Sequence, residues 1–391
     1  MQDEVPTPAH HRRRWGAAVL AAALAVGACS DDNSTGTSVT SAATTTVTEA
    51  PTTTIEDVTT TVTTVPADVI TACQISDFGG LDDAAVNEAT WAGMEQAAAE
   101  FDVVIDFLPS NDTANYPRHL ATFLEQECDL IVTTGALLAN DTASAARANP
   151  DQLFAIVDYP VGAFDPWGDP PVDNVRGLTF LVDEAAFLAG YLAAGMSTTH
   201  VIGTFGGLNI PPVTIFMEGF RKGALHYDGI HGTVTTVEGW NGTDGLFTAD
   251  FSSQDKAYEF THDLIDAGAD IVLPVADRAG EGACRAATEA GDVAVIGTHW
   301  DWFFSAPDCG GVLLTSILKR FDVAVYKTIQ NLVVIDALGS EYLGTLKNDG
   351  VGLAPFHEFA DAVPAELAAE IEALRADIIS GAVRLDPTAG G

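Results

Sequence analysis

Three aspartates occupy the same kind of place in this chain. Asp77, Asp158 and Asp301 each stand just beyond a short apolar run. Ionised carboxylates only accept hydrogen bonds, so a set of them suits a solute rich in hydroxyls, such as ribose or another polyol. His299 lies two residues before Asp301, where its imidazole can donate to a ligand acceptor or titrate near its ordinary value of about 6.5. Trp300 and Trp302 flank Asp301, and nearby aromatic faces would stack on a planar base. Glycines recur at such positions too. The loop Asp77-Phe78-Gly79-Gly80-Leu81-Asp82-Asp83 leads into a helical pattern, Gly206-Gly207 follows Phe205, and Asp277 precedes Gly280 and Gly282. Glycine lets backbone N–H groups approach a ligand closely. Taken singly, Asp83 reads equally well as a helix cap and Asp77 as a turn residue. Recurrence at three places argues against caps alone.

These residues need elements to position them. From residue 69 short apolar runs alternate with longer amphipathic ones. Strands are predicted over Val69–Ile75, Val103–Leu108, Asp129–Thr134 and Leu153–Val157, with helices over Asp83–Phe101, Asn115–Glu127 and Ala139–Ala148 between them. The alternation then restarts. Helices are predicted over Glu184–Met196, Pro212–His226, Asp255–Ala267 and Gly280–Ala290, and strands over Val201–Phe205, Asp270–Pro274, Val293–Gly297 and Val312–Thr315. Long helices follow over Lys319–Leu338 and Ala365–Ser380. This is the βαβ pattern of parallel sheets covered by helices on both faces. Two such units predict two doubly wound lobes joined by a hinge. The first takes about 68–175 plus 316–340, and the second about 176–315 plus the C-terminal segment. Asn174–Phe180 reads as a crossover strand between them. Open parallel sheets bind ligands beyond the carboxyl ends of their strands, which places the solute in the cleft between the lobes.

The chain carries 17 Lys and Arg against 55 Asp and Glu, a formal charge of −38 over 391 residues. Binding that rests on neutralising phosphates is excluded at that balance, so nucleic acid is not an expected partner. An anionic membrane surface is an equally poor docking site. Cys73, Cys128, Cys284 and Cys309 allow three pairings. Cys73 and Cys128 open neighbouring strand-like runs, so parallel strands would bring them to one sheet edge. Cys284 and Cys309 lie close together in the second unit. The expected bridges are therefore Cys73–Cys128 and Cys284–Cys309, the alternative being four buried thiols. The cysteine spacing matches no metal site, and no cofactor motif is present.

Arg12-Arg13-Arg14, an apolar run from Trp15 to Val26 and the exit Gly27-Ala28-Cys29 form a secretory signal, too short to span a bilayer. A cysteine just after small residues resembles a bacterial lipobox. That resemblance implies cleavage after residue 28, lipid on Cys29, and a location anchored on the extracytoplasmic face of the cell membrane. An ordinary signal with an incidental cysteine is the alternative. Residues 29–67, rich in Thr, Ser and Ala, read as a flexible tether, or as a β-rich stalk.

The run from Asp77 to Asn87, followed by Trp91-Ala92-Gly93, resembles the opening motif of the basic membrane protein family, the PnrA-like nucleoside-binding lipoproteins of ABC transporters. Further matches follow in order: Phe154-Ala155-Ile156-Val157-Asp158; Ala189-Gly190-Tyr191; Gly206-Gly207 with Phe216-Met217-Glu218-Gly219-Phe220 and Gly223; and Leu318-Lys319 with Asp322-Val323-Ala324. The resemblance implies a type I periplasmic-binding fold and a monomer that captures a nucleoside for a separate permease and ATPase. It places Asp77, Asn87, Asp158, Phe216, Asp301 and Lys319 at the ligand. Lys319 would bond ligand hydroxyls or pair with a lobe carboxylate. Two positions depart from the pattern. Val86 stands where the family has a stacking Phe, and His299 where it has a sugar-binding carboxylate. Trp91, Trp300 or Trp302 would have to restore a stacking face, so the expected ligand is nucleoside-like rather than the usual purine nucleoside. A ligand sensor for a signalling partner is an alternative. A glycoside hydrolase using Asp158, His299 and Asp301 as acid and base is another, although no nucleophile elbow, P-loop or zinc-protease motif accompanies them.

Overall fold

The computed structural model describes residues 69–77, 80–82, 86–161, 172–339 and 341–385. The signal, Cys29, the tether and Asp83 lie outside the described residues. Two six-stranded sheets organise the chain. The first runs β2–β1–β3–β4–β5–β11, built from β1 (Ile70–Ile75), β2 (Val103–Leu108), β3 (Leu130–Thr134), β4 (Leu153–Val157), β5 (Val175–Phe180) and β11 (Tyr342–Gly344). The second runs β7–β6–β8–β9–β10–β12, from β6 (Val201–Gly206), β7 (Thr236–Glu238), β8 (Ile271–Val275), β9 (Ala294–His299), β10 (Leu313–Lys319) and β12 (Val351–Leu353). Every pairing is parallel except β10 with β12. Both sheets share one strand order. The central strands are buried along nearly their whole length, as sheets covered on both faces require.

Helices cover both faces of each sheet. In the first lobe α1 (Val86–Glu100) and α9 (Phe321–Ile335) pack together on one face, and α2 (Tyr116–Glu125) and α3 (Ala139–Ala148) cover the other. In the second lobe α4 (Val182–Met196), α5 (Pro211–His231) and α10 (Ala365–Ser380) form one layer, and α6 (Gln254–Asp266) and α7 (Glu281–Ala290) the other. The short α8 (Trp302–Ser305) follows β9. One hydrophobic cluster runs through both lobes on the α1/α9 and α4/α5/α10 side, and a smaller one lies under each outer helix pair.

The chain crosses between the lobes three times: after β5, after β10 and after β11. The expected lobe boundaries are thus corrected. Residues 176–180 belong to the first sheet, because β5 pairs with β4 as far as Val157↔Leu178. Residues 316–319 belong to the second, because β10 stays paired with β9 and β12 to its last residue. The edge strands β7, β11 and β12 were not foreseen; three residues are too few to display a period.

Glycines set how closely α4 and α5 approach. A Cβ on Gly190 would fall 1.8 Å from the Phe220 carbonyl oxygen, and one on Gly223 would fall 1.9 Å from that of Phe187. Neither backbone can yield without parting the helices. Gly229, on the same helix as Gly223, faces open space. We therefore expect opposite signs from one substitution. Gly223→Ala should destabilise by about 2–3 kcal/mol through overpacking, whereas Gly229→Ala should be neutral or stabilise by up to ~1 kcal/mol. Urea unfolding of both variants checks this, and equal effects would refute the packing account.

Each lobe also carries a disulfide. Cys73, in the middle of β1 rather than at its start, is bonded to Cys128 ahead of β3; Cys284 on α7 is bonded to Cys309. The sequence separations are 55 and 25 residues. Replacing both cysteines of a bridge by Ser should cost about 4 kcal/mol for the first pair and about 3.5 kcal/mol for the second on the loop-entropy relation. Denaturation midpoints of the two double variants, measured under oxidising conditions, test the values.

Candidate functional site

A cavity of about 160 Å³ lies between the lobes, where the carboxyl ends of the two sheets meet. From the first lobe come Val86, which opens α1, and Asp158, which follows β4. From the second come Val275 and Asp277 at the end of β8, His299 ending β9, and Lys319 ending β10. Ile210, Pro212 and Val213 at the start of α5, Phe251 from the loop after β7, and Phe321 at the start of α9 complete the wall. The strand-end rule thus accounts for the polar lining.

An ion pair joins the lobes. The Lys319 ammonium donates to both oxygens of Asp158, at 3.0 and 2.9 Å. Lys319 is 4% exposed and Asp158 29%. A charge that buried requires a partner, and here the partner comes from the other lobe. The ammonium also lies 5.4 Å from the Phe216 ring centre and 5.9 Å from that of Phe321, within cation–π range.

A second pair lies wholly in the second lobe. His299 Nδ1 stands 2.9 Å from Asp277 Oδ1. The imidazole meets the edge of Phe216, with centroids 5.0 Å apart, and lies nearly parallel to the Phe321 ring at 6.5 Å. Asp277 shows 38% of its side chain, and that surface faces the cavity in a place otherwise surrounded by protein. Burial pushes its carboxyl up, but the charge and hydrogen bond of His299, with the Lys319 charge, outweigh this and hold it below the usual carboxylate range. Asp158, Asp277 and His299 all have φ in the left-handed region, at 60°, 46° and 67°. Such a conformation disfavours side chains larger than glycine, and these three polar residues adopt it at strand ends on the cavity.

The other expected ligand residues have partners within the protein. Asp77 accepts from the Tyr116 hydroxyl at 2.5 Å, and its N–H donates to Asn87 Oδ1 and to Thr134 Oγ1. Burial first, and then the Asp77 carboxylate, push the Tyr116 hydroxyl well above its usual range and keep it a donor. Asn87 is fully buried and also bonds Thr134, so it ties the ends of β1 and β3 to α1 rather than lining the cavity. Phe216 is likewise fully buried and supports Lys319 and His299 from behind. Trp91 is no stacking face. Its Nε1 donates to Glu95 at 2.9 Å and its ring meets the edge of Phe107 on β2. Trp302 is core, with Nε1 donating to the Thr298 carbonyl, and Trp300 packs on the large cluster.

Asp301 is the clearest correction. It caps α8 through the Phe303 N–H, and its other oxygen meets His357 Nε2 at 2.8 Å. The His357 ring stacks on Phe303 with centroids 4.0 Å apart. Both Asp301 oxygens are thus engaged in the local fold. Of the three strand-end carboxylates first singled out, Asp158 is in the wall of this cavity.

The residues missed are instructive. Asp277 lies in a strand-end loop noted for its glycines, yet it was not placed at the ligand. Phe251 had no sequence signal of its own, but Gly207 explains its place. A Cβ there would fall 2.3 Å from the Phe251 ring, so Gly206-Gly207 leaves room for the aromatic against the end of β6. Among the described residues no group of three or more His, Cys, Asp or Glu side chains could hold a metal ion. No helix among them is long and apolar enough to cross a membrane.

Comparison with known proteins agrees with this geometry. A family model described as ABC transporter substrate-binding protein PnrA-like matches residues 70–386. The CD4+ T-cell-stimulating antigen of Listeria monocytogenes is 26% identical over 333 residues, covering 81% of this chain and 87% of its own length. Basic membrane protein D of Borreliella burgdorferi is 29% identical over 280 residues, covering 70% of this chain and 76% of its own. An ABC transporter solute-binding protein from Aeropyrum pernix K1 superposes with a TM-score of 0.67 at 24% identity, over 81% of this chain and 93% of its own, a likeness of fold. The two parallel-sheet lobes, the three crossings and the cavity at facing strand ends are those of a type I periplasmic-binding fold. The chain belongs to the PnrA-like family of ABC transporter substrate-binding proteins.

Proposed function

We propose that this protein is a lipid-anchored extracytoplasmic receptor that captures a nucleoside, or a nucleoside-like polar solute, between its lobes and delivers it to a permease and ATPase on separate chains. The observation that carries the reading is the composition of the cavity wall. Two carboxylates, one ammonium and one imidazole line it, with Val86, Phe251 and Phe321 supplying apolar surface. The charged groups suit hydroxyls, and the apolar and aromatic surface suits a flat ring. With a neutral imidazole the four polar groups sum to −1, and with an imidazolium to zero. A phosphate therefore finds no net positive charge there, which favours nucleosides over nucleotides. Val86 presents no aromatic face, so a base in this cavity would rest on Phe251 or Phe321, offered from other elements than α1. This supports a ligand related to the purine nucleosides but ranked differently among them. Lipid on Cys29 and the 29–67 segment supply the anchor in this reading, and the protein acts as a monomer without catalysis.

Isothermal calorimetry with adenosine, guanosine, inosine, cytidine and uridine, their 5′-monophosphates and free ribose tests the assignment. At least one nucleoside should bind with micromolar affinity or better, and no monophosphate should bind more tightly than its nucleoside. Tighter binding of monophosphates throughout would refute it. Equally tight binding of adenosine, guanosine and inosine would remove the altered preference ascribed to Val86 and His299.

The inter-lobe pair makes a second prediction. Asp158→Asn leaves the Lys319 ammonium buried without its carboxylate. Ligand affinity should fall by about ten- to hundredfold, the worth of about 1.5–3 kcal/mol for a charged hydrogen bond. Calorimetry gives the loss, and small-angle scattering should show the lobes further apart. Unchanged affinity and scattering would mean that the pair does not control closure.

A further inference from the structure

The carboxylate best placed to receive a solute hydroxyl is Asp277, which stands at a strand end but is not among the residues that the family resemblance places at the ligand. What separates the candidates is whether a carboxylate oxygen already has a hydrogen-bond partner. Asp158 gives both oxygens to Lys319. Asp301 gives one to the Phe303 N–H and the other to His357. Asp77 accepts from Tyr116 and stands outside the cavity wall. Asp277 gives Oδ1 to His299, while Oδ2 has no hydrogen-bond partner among the described residues and belongs to a side chain that faces the cavity. Held below the usual carboxylate range, it is ionised and accepts only.

The backbone points the same way. At φ 46° glycine is the costless choice, yet the position carries a carboxylate. The next strand end repeats the device, with His299 at φ 67° turned so that Nδ1 meets that carboxylate. Phe216 and Phe321 hold the imidazole from two sides. Strain kept at two adjacent strand ends, to bring two polar groups together at a cavity, is a positioning arrangement rather than a turn requirement.

We infer that Asp277 is the hydroxyl-accepting carboxylate of the second lobe, that His299 is the residue positioning it, and that the pair gives the protein its preference for solutes bearing free hydroxyls. This rests on the reading of the cavity as a polar-solute site. It names one chemical group of the solute and one oxygen that receives it.

The test compares each solute with its deoxy form on the full chain, using inosine, adenosine and cytidine with their 2′- and 3′-deoxy counterparts, and ribose and xylose with theirs. In the unaltered protein, loss of the recognised hydroxyl should weaken binding about ten- to hundredfold, as expected for a hydrogen bond to a charged acceptor. In Asp277→Gly the hydroxylated parent should fall to the affinity of its deoxy form, so that discrimination disappears. Because glycine suits the left-handed backbone, the melting temperature should hold or rise, whereas a merely structural Asp277 would lower it. His299→Asn keeps an N–H donor near the position of Nδ1 and tolerates the same φ, so it should retain most of the discrimination; His299→Ala should lose it. Persistence of full discrimination in Asp277→Gly overturns the inference and leaves the nucleoside reading standing. Binding of the free sugars alone, with Asp277-dependent discrimination, overturns the nucleoside reading and supports the inference. Absence of binding by every hydroxylated solute overturns both.

Discussion

A lysine ammonium that is 4% exposed cannot stand alone, and the rest of the site follows from how Lys319 is neutralised. Its partner is supplied by Asp158, from the other sheet. The charge is therefore satisfied only when the carboxyl ends of the two sheets face each other closely. That condition brings the strand ends that line the cavity together, with α9 and its Phe321 passing from the second lobe to the first. The same ammonium adds to the field at Asp277, so the intralobe pair depends in part on the interlobe one.

Much of the fold was legible because its signals are local. Alternating apolar runs gave both sheets and nearly all the long helices, and α10 appears over the residues its periodicity marked. The family-like glycines were legible as a pattern but not as a cause. Gly190 and Gly223 bring two helices within backbone contact, and Gly207 makes room for an aromatic; neither role follows from spacing. Three-residue edge strands and the exact residues at which the chain changes lobes depend on pairing partners far away in sequence, so no local window contains them.

The site was legible by place and not by partner. The rule that ligands meet strand ends located Asp158, His299 and the loop of Asp277. It could not say which strand-end carboxylates are consumed by the fold. Asp301 and Asp158 look alike in the sequence, and what separates them is His357, 56 residues beyond Asp301, against Lys319, 161 residues beyond Asp158. The resemblance implied a carboxylate where His299 stands. A carboxylate does lie beside that position, contributed by the neighbouring strand end at Asp277, with the imidazole now its partner. The tryptophans misled for a related reason. A large aromatic near a strand end is as useful for closing a core as for covering a base, and Trp302 serves the core.

Both disulfides staple a helix or strand to its own lobe, and neither spans the three connecting segments. Oxidation therefore stiffens each half as a separate body while leaving the angle between the halves untouched. A substrate-binding protein built in this way has no covalent link whose making or breaking would by itself fix the two halves together.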